Sequence, residues 1–270
     1  MERQRITEWL LAVIVGMSVP ASPVFGRDGY DNKKVTHHVG LDARGSWLVP
    51  THQFFRGENK LGKPLDKAAS AHLQYSFSFP ESSVFGQIYP TAYQGVGLAW
   101  NTFFDHEEMG SPAAVYVFQG AQIAKIGRKV SLDYEWNFGV SAGWHPYREN
   151  LDGSGKENVA NQVVGSSVNA YINAGLMISW RPTPALTING GIDFNHFSNG
   201  NTVYPNGGVN LLGARIGAAY SFGAEKVREP SLDNHALFCS NDFMTGLKNW
   251  ELDRSNFSKD LKHRFSVDIT

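Results

Sequence analysis

Cysteine is nearly absent from this chain of 270 residues: Cys239 stands alone. A single thiol excludes an intrachain disulfide framework and a zinc site built on cysteines. A surplus of either charge is also missing. The chain has 24 Lys and Arg against 25 Asp and Glu, a formal net charge of −1. The basic excess of a nucleic-acid-binding protein is therefore not there. Long hydrophobic runs are lacking too. The run from Leu10 to Val19 is well short of the ~20 residues that a spanning helix needs, and no later stretch is apolar enough to be one. What the chain does hold is 17 Phe, 10 Tyr, 7 Trp and 28 Gly. So many aromatic residues exclude disorder. Together with the glycines they point to strands and tight turns rather than helices. The length suits one domain, or at most two.

The N-terminus has its own pattern. Arg3 and Arg5 precede the Leu10–Val19 run, and small residues follow. This order is that of a secretory signal rather than a buried helix. Residues 1–26 are therefore expected to be an export signal, with cleavage after about residues 21–26. No cysteine lies near that point, which speaks against a lipoprotein anchor.

Beyond residue 26 the apolar residues alternate with polar or small ones, the period of a strand. In 130–142, Val130, Leu132, Tyr134, Trp136, Phe138, Val140 and Ala142 share one face, and Ser131, Asp133, Glu135, Asn137 and Ser141 share the other. Residues 168–180 and 186–198 repeat the pattern. Further strands are expected at 37–48, 69–79, 93–104, 113–123 and 208–222, about eight in all. They run to ten residues or more, against ~5–6 in ordinary sheets, and a tilted strand needs ~9–11 to cross a bilayer. Residues 124–128 and 181–184 form short turns, whereas 49–68 and 145–166 are long and polar. The 80–92 connection is longer than this scheme favours.

Short turns at one end and long loops at the other mark an outer-membrane barrel. A soluble sandwich or lipocalin-like barrel would reverse the two faces. Trp136, Trp144 and Trp180 near strand ends fit interfacial girdles, and Asp133, Glu135, Asp193 and Arg215 on the second face suit a narrow lumen in which charges pair. The favoured fold class is all-β: a transmembrane antiparallel barrel of about eight strands. It occupies 27–223, with a hairpin at 192–212. Residues 224–270 read as a polar connection followed by a strand at 263–269. That ninth strand leaves an unpaired edge unless it closes the sheet.

His196 and Ser198 lie two apart on a strand and so share a face. That face is the apolar one, continuing Ile192 and Phe194. Asn210 lies on the matching face of the next strand, where a hairpin brings it beside His196. A hydroxyl, an imidazole and an orienting amide can form a nucleophile–base arrangement if their rotamers converge. Polar residues capping strands at the interface would give the same spacing. The other candidates are plainer. His37, His38 and His72 lack a metal-ligand spacing partner. Asp105-His106-Glu107-Glu108 reads as a solvated acidic loop. Asp193 and Arg215 read as a luminal pair, and no glycine loop suited to a phosphate is present.

His196-Phe197-Ser198-Asn199-Gly200 followed by Tyr204-Pro205-Asn206-Gly207-Gly208-Val209-Asn210 resembles the active-site hairpin of the outer-membrane lipid A 3-O-deacylase (PagL-type) family. It is most similar to the branch often labelled acyloxyacyl hydrolase. The resemblance extends more loosely over 36–222, through Val49-Pro50-Thr51, Phe55-Arg56-Gly57-Glu58-Asn59 and Ala92-Tyr93-Gln94-Gly95-Val96-Gly97. It implies an eight-stranded barrel in the bacterial outer membrane with a lipid-facing site. It also implies a serine esterase that removes an ester-linked acyl chain from lipid A or lipopolysaccharide without a cofactor or metal. Ser198 matches the nucleophile, His196 the general base, and Asn199 the residue that helps hold the oxyanion. Asn210 stands where the family has Glu, fourteen residues after the His. The expected partners are lipid A in the outer leaflet and the membrane itself, with no nucleic acid; self-association into a homodimer is left open. A non-catalytic structural or adhesive barrel, or a phospholipid esterase on the same scaffold, are the rival readings.

Overall fold

A computed structural model describes residues 35–149 and 157–222. The expected export signal and the expected strand at 263–269 lie outside the described residues. Eight antiparallel strands close into a barrel: β1 Thr36–Leu48, β2 Lys67–Ser78, β3 Tyr93–Thr102, β4 Gly110–Gly127, β5 Val130–Trp144, β6 Val168–Trp180, β7 Leu186–Ser198 and β8 Val209–Phe222. β1 pairs with β8, from His37 opposite Phe222 to Leu48 opposite Leu211. All eight expected strands are present, and closure needs no ninth. No open edge remains to expose unpaired backbone groups, which hydrocarbon does not tolerate.

Period-two alternation decides what each side chain meets. On β5, Ser131, Asp133, Glu135, Asn137 and Ser141 are buried inside, while Trp136, Phe138 and Val140 are exposed outside. Leu41, Leu98, Val115, Ile192 and Ile216 extend the outer apolar band over other strands. The apolar face is thus the outer one, as in a membrane barrel and opposite to a soluble sandwich.

The lumen is filled, not open. Arg44 donates to Asp42 at 2.7 Å and to Asp193 at 2.6 Å; Arg215 donates to Glu135 at 2.7 Å and to Asp42 at 3.1 Å. Two guanidinium groups therefore serve three carboxylates in the barrel's middle. The expected direct pairing of Asp193 with Arg215 is not formed. The network crosses the barrel from β1 to β5, β7 and β8, contacts that linear order does not encode. Near the β6–β7 turn, Arg181 binds Ser131 at 2.6 Å and Asp133 at 3.0 Å. Toward the other end, Phe103, Trp144, Tyr171 and Phe197 stack into an aromatic plug. Trp144 belongs to this plug and is 2% exposed, so it is not part of an interfacial girdle. Gly143, at φ +99°, breaks the alternation just before it and turns the indole inward. Trp136 and Trp180 do face outward, at 42% and 48%.

The connections split by end. β4 and β5 are joined at 128–129, because pairing continues through two irregularities as far as Gly127 opposite Val130. The expected turn at 124–128 is therefore mostly strand. The 79–92 connection is long because it holds a one-turn helix, α1 Val84–Ile88. Ser83 caps it by accepting from the Gly86 N–H, and its Phe85 packs between Phe79 and Tyr89. The opposite end carries the long loops 49–66 and 145–167 and the hairpin loop 199–208. The acidic segment there is not simply solvated. Asp105 and Glu108 are buried, and a Glu108 carboxyl oxygen accepts the Lys60 backbone N–H. Burial pushes the Glu108 carboxyl above the ordinary carboxylate range.

Two outcomes are expected. The purified protein should give a β-rich circular dichroism spectrum and migrate differently on gels before and after heating. Arg44→Met leaves Asp193 without its buried guanidinium and Asp42 with Arg215 alone, and loss of such a partner typically costs about 3–5 kcal/mol. Urea unfolding in detergent should show a destabilisation of that order. An unchanged midpoint would rule the network out as a source of stability.

Candidate active site

β7 carries two kinds of residue at its outer end. Phe197 points inward, 2% exposed, and stacks on Tyr171 with ring centroids 5.1 Å apart. Its neighbours His196 and Ser198 consequently point outward, half-buried, on the row of Ile192 and Phe194. The aromatic plug thus holds the strand that presents the polar pair to the lipid side. On β8, Asn210 lies directly opposite His196. Nδ1 of His196 and Oδ1 of Asn210 are 2.7 Å apart. An amide oxygen only accepts, so Nδ1 carries the hydrogen, and in the neutral ring Nε2 keeps its lone pair.

Ser198 lies one row further out on the same face. Among the described residues its hydroxyl makes no hydrogen bond, so the structure joins His196 to Asn210 but not Ser198 to His196. Such contacts often form only with substrate present. Gly208, at φ +69°, borders both groups. A Cβ there would stand 3.2 Å from His196 Cε1 and 4.0 Å from the Ser198 Cβ. The positive φ favours glycine here, and a Cβ would also crowd the imidazole.

Asn199 opens the hairpin loop. Its backbone N–H donates to Asn206 Oδ1 at 3.2 Å, its Nδ2 donates to the Val203 carbonyl at 2.6 Å, and its Oδ1 is buried without a partner. It therefore braces the turn while lying next to Ser198. The 157–167 segment supports this loop from the side: Gly208 N–H donates to the Val163 carbonyl, and Asn161 Oδ1 accepts from the Val163 and Val164 N–H groups. Val163, Asn161 and the aromatic plug were not singled out from sequence. Alternation alone could have placed Phe197 inside, but nothing local marked its partners.

His72 serves the structure. It is buried in the lumen, 2.9 Å from both the Tyr116 hydroxyl and Ser70 Oγ. Among the described residues no group of three or more His, Cys, Asp or Glu is arranged to hold a metal.

Residues 69–219, more than half of the chain, match the family model described as lipid A 3-O-deacylase (PagL). The chain belongs to this family. It is accordingly a bacterial outer-membrane barrel of the lipid A deacylase class. No curated protein matches it. Solved structures similar to it include Neisserial surface protein A, at 11% identity over 70% of this chain and 100% of that one, TM-score 0.45. The outer membrane enzyme PagL is similar at 15% over 66% and 97%, TM-score 0.40. The N-terminal β-barrel domain of Pseudomonas aeruginosa OprF is similar at 10% over 68% and 97%, TM-score 0.37.

The His196–Asn210 bond has a spectroscopic consequence. Nitrogen-15 spectra of the folded protein in micelles should show His196 protonated on Nδ1 with a bare Nε2. Asn210→Ala should release the ring to the Nε2–H tautomer that free imidazoles prefer. A His196 spectrum indifferent to residue 210 would contradict the bond.

Proposed function

We propose that this chain is a serine esterase that removes the 3-O-linked acyl chain of lipid A. The supporting observation is the outward-facing His196–Asn210 pair, which turns Nδ1 to the amide and shares a face with Ser198 on a wall where polar groups are costly without a role. His196 Nε2 takes the Ser198 proton as Oγ attacks the acyl carbonyl. The tetrahedral oxyanion forms next to Asn199. Its collapse breaks the ester bond, and the proton on His196 passes to the departing sugar hydroxyl. A water molecule, deprotonated by His196, then attacks the acyl-serine. This frees the fatty acid and restores Ser198.

Asn210 orients the imidazole through its carbonyl oxygen, as the amide does in Cys-His-Asn proteases. It lacks the full charge that a carboxylate offers the transient imidazolium, so turnover is slower than with Glu at that position. The Asn in place of Glu, with the Ser198 hydroxyl out of contact with Nε2, is also what a non-catalytic barrel would show. Kinetics of purified, folded variants separate the two.

Ser198→Ala should abolish fatty-acid release from lipid A, by on the order of 10⁴–10⁶ in rate, while leaving the fold intact. Asn210→Ala should lose roughly tenfold or more, the worth of one orienting hydrogen bond. Asn210→Glu should match or exceed the parent, its gain limited by desolvation of the carboxylate. A folded Ser198→Ala that retains activity would refute the nucleophile. A parent inactive on lipid A beside an active family member would favour the non-catalytic barrel, and one active only on phospholipids would reassign the substrate.

A further inference from the structure

The hairpin loop 199–208 is braced mostly by itself. Asn199 bonds Val203 and Asn206, the Thr202 hydroxyl donates to the Asn199 carbonyl, and Asn206 bonds Asn201. Among the described residues a single hydrogen bond leaves this loop: Gly208 N–H donates to the Val163 carbonyl at 3.3 Å. Packing follows the same contact. A Cβ on Gly207 would stand 3.0 Å from Val163 Cγ1, and a Cβ on Gly165 would run into the Pro205 carbonyl oxygen. The turn at 163–165 thus lies directly against the end of the loop that borders His196 and Ser198.

Asn161 determines where that turn sits. It is fully buried. Its Oδ1 accepts the Val163 and Val164 N–H groups at 3.2 and 3.1 Å, and its Nδ2 donates to the Glu108 and His145 carbonyls at 2.9 and 3.0 Å. An amide offers two N–H donors and two acceptor lone pairs, so its whole capacity is used. Asn158 donates to the same two carbonyls at the same distances, yet its Oδ1 is buried without a partner. The two asparagines share one anchor, and of the two it is Asn161 that carries the anchor on to the 163–164 turn.

We infer that Asn161 is a positioning residue for the reaction: through the Val163 carbonyl it holds Gly208, and with it the hairpin, against His196 and Ser198. This rests on the esterase reading above and adds to it what fixes the site from behind. Imidazole and hydroxyl have to converge for the proton to pass, and Gly208 bounds the space in which they do so. A hairpin free to drift upsets that convergence, whereas the outward wall that meets the lipid keeps its side chains. The loss therefore falls on kcat rather than on KM. Asn161 itself touches no reacting atom.

The test follows two readouts in the folded full chain, hydrogen exchange of the Gly208 amide and fatty-acid release from lipid A. Asn161→Ala should speed Gly208 exchange roughly tenfold. It should lower kcat roughly five- to fiftyfold, with KM within about twofold. Asn158→Ala, which loosens the same anchor without freeing the turn, should match the parent in both readouts. Asn161→Ser keeps an acceptor for one of the two N–H groups and should fall between Asn161→Ala and the parent; it carries the comparison if Asn161→Ala does not fold. Exchange or kcat unaltered in the Asn161 variants, or equal losses in Asn158→Ala, would overturn the assignment while leaving the esterase intact. A parent that releases no fatty acid would remove the esterase reading and this role together.

Discussion

A strand residue in a closed barrel has only two places to point, into the lumen or out to the lipid, and the rest of this structure follows from that. Closure pairs β1 with β8 and leaves the hydrocarbon no backbone to solvate. The lumen then has to be filled by what the inward rows carry. Here these are the Arg44 and Arg215 network at mid-height and an aromatic plug toward the outer end. The same constraint builds the site. With Phe197 anchored inside, His196 and Ser198 can only face the membrane, where a lipid's ester can meet them from the side.

That constraint is also why the fold was legible. Apolar and polar residues alternate so strictly on 130–142, 168–180 and 186–198 that strand positions, face and hairpin partners follow from spacing. The pairing of His196 with Asn210 followed in the same way, since both sit equally far from the tip of one hairpin. Contacts across the lumen were not legible. Asp193 bonds Arg44 rather than Arg215 because β1 reaches β7's charge across the barrel, a proximity that appears only after closure. Trp144 turned inward because one glycine adopts positive φ, which spacing does not report. The 79–92 connection harboured a single capped turn of helix, too short to leave a periodic trace.

Asn210 is where the site departs from its family's usual carboxylate. Geometrically the exchange is conservative: the amide oxygen reaches Nδ1 at 2.7 Å and fixes the tautomer. Electrostatically it is not, because an amide dipole offers the imidazolium much less than a full negative charge in a medium that screens weakly. The amide's advantage is that a neutral group costs less to hold at a lipid-facing surface. On the esterase reading proposed above, orientation is thus preserved while stabilisation of the charged intermediate is weakened.

Mass spectrometry of lipid A from bacteria that produce the protein, set against the same cells without it, tests the central claim most directly. The account predicts loss of one ester-linked hydroxyacyl mass, matched by release of the corresponding free fatty acid. A lipid A profile identical in the two strains, with the folded barrel present in the outer membrane, would contradict it.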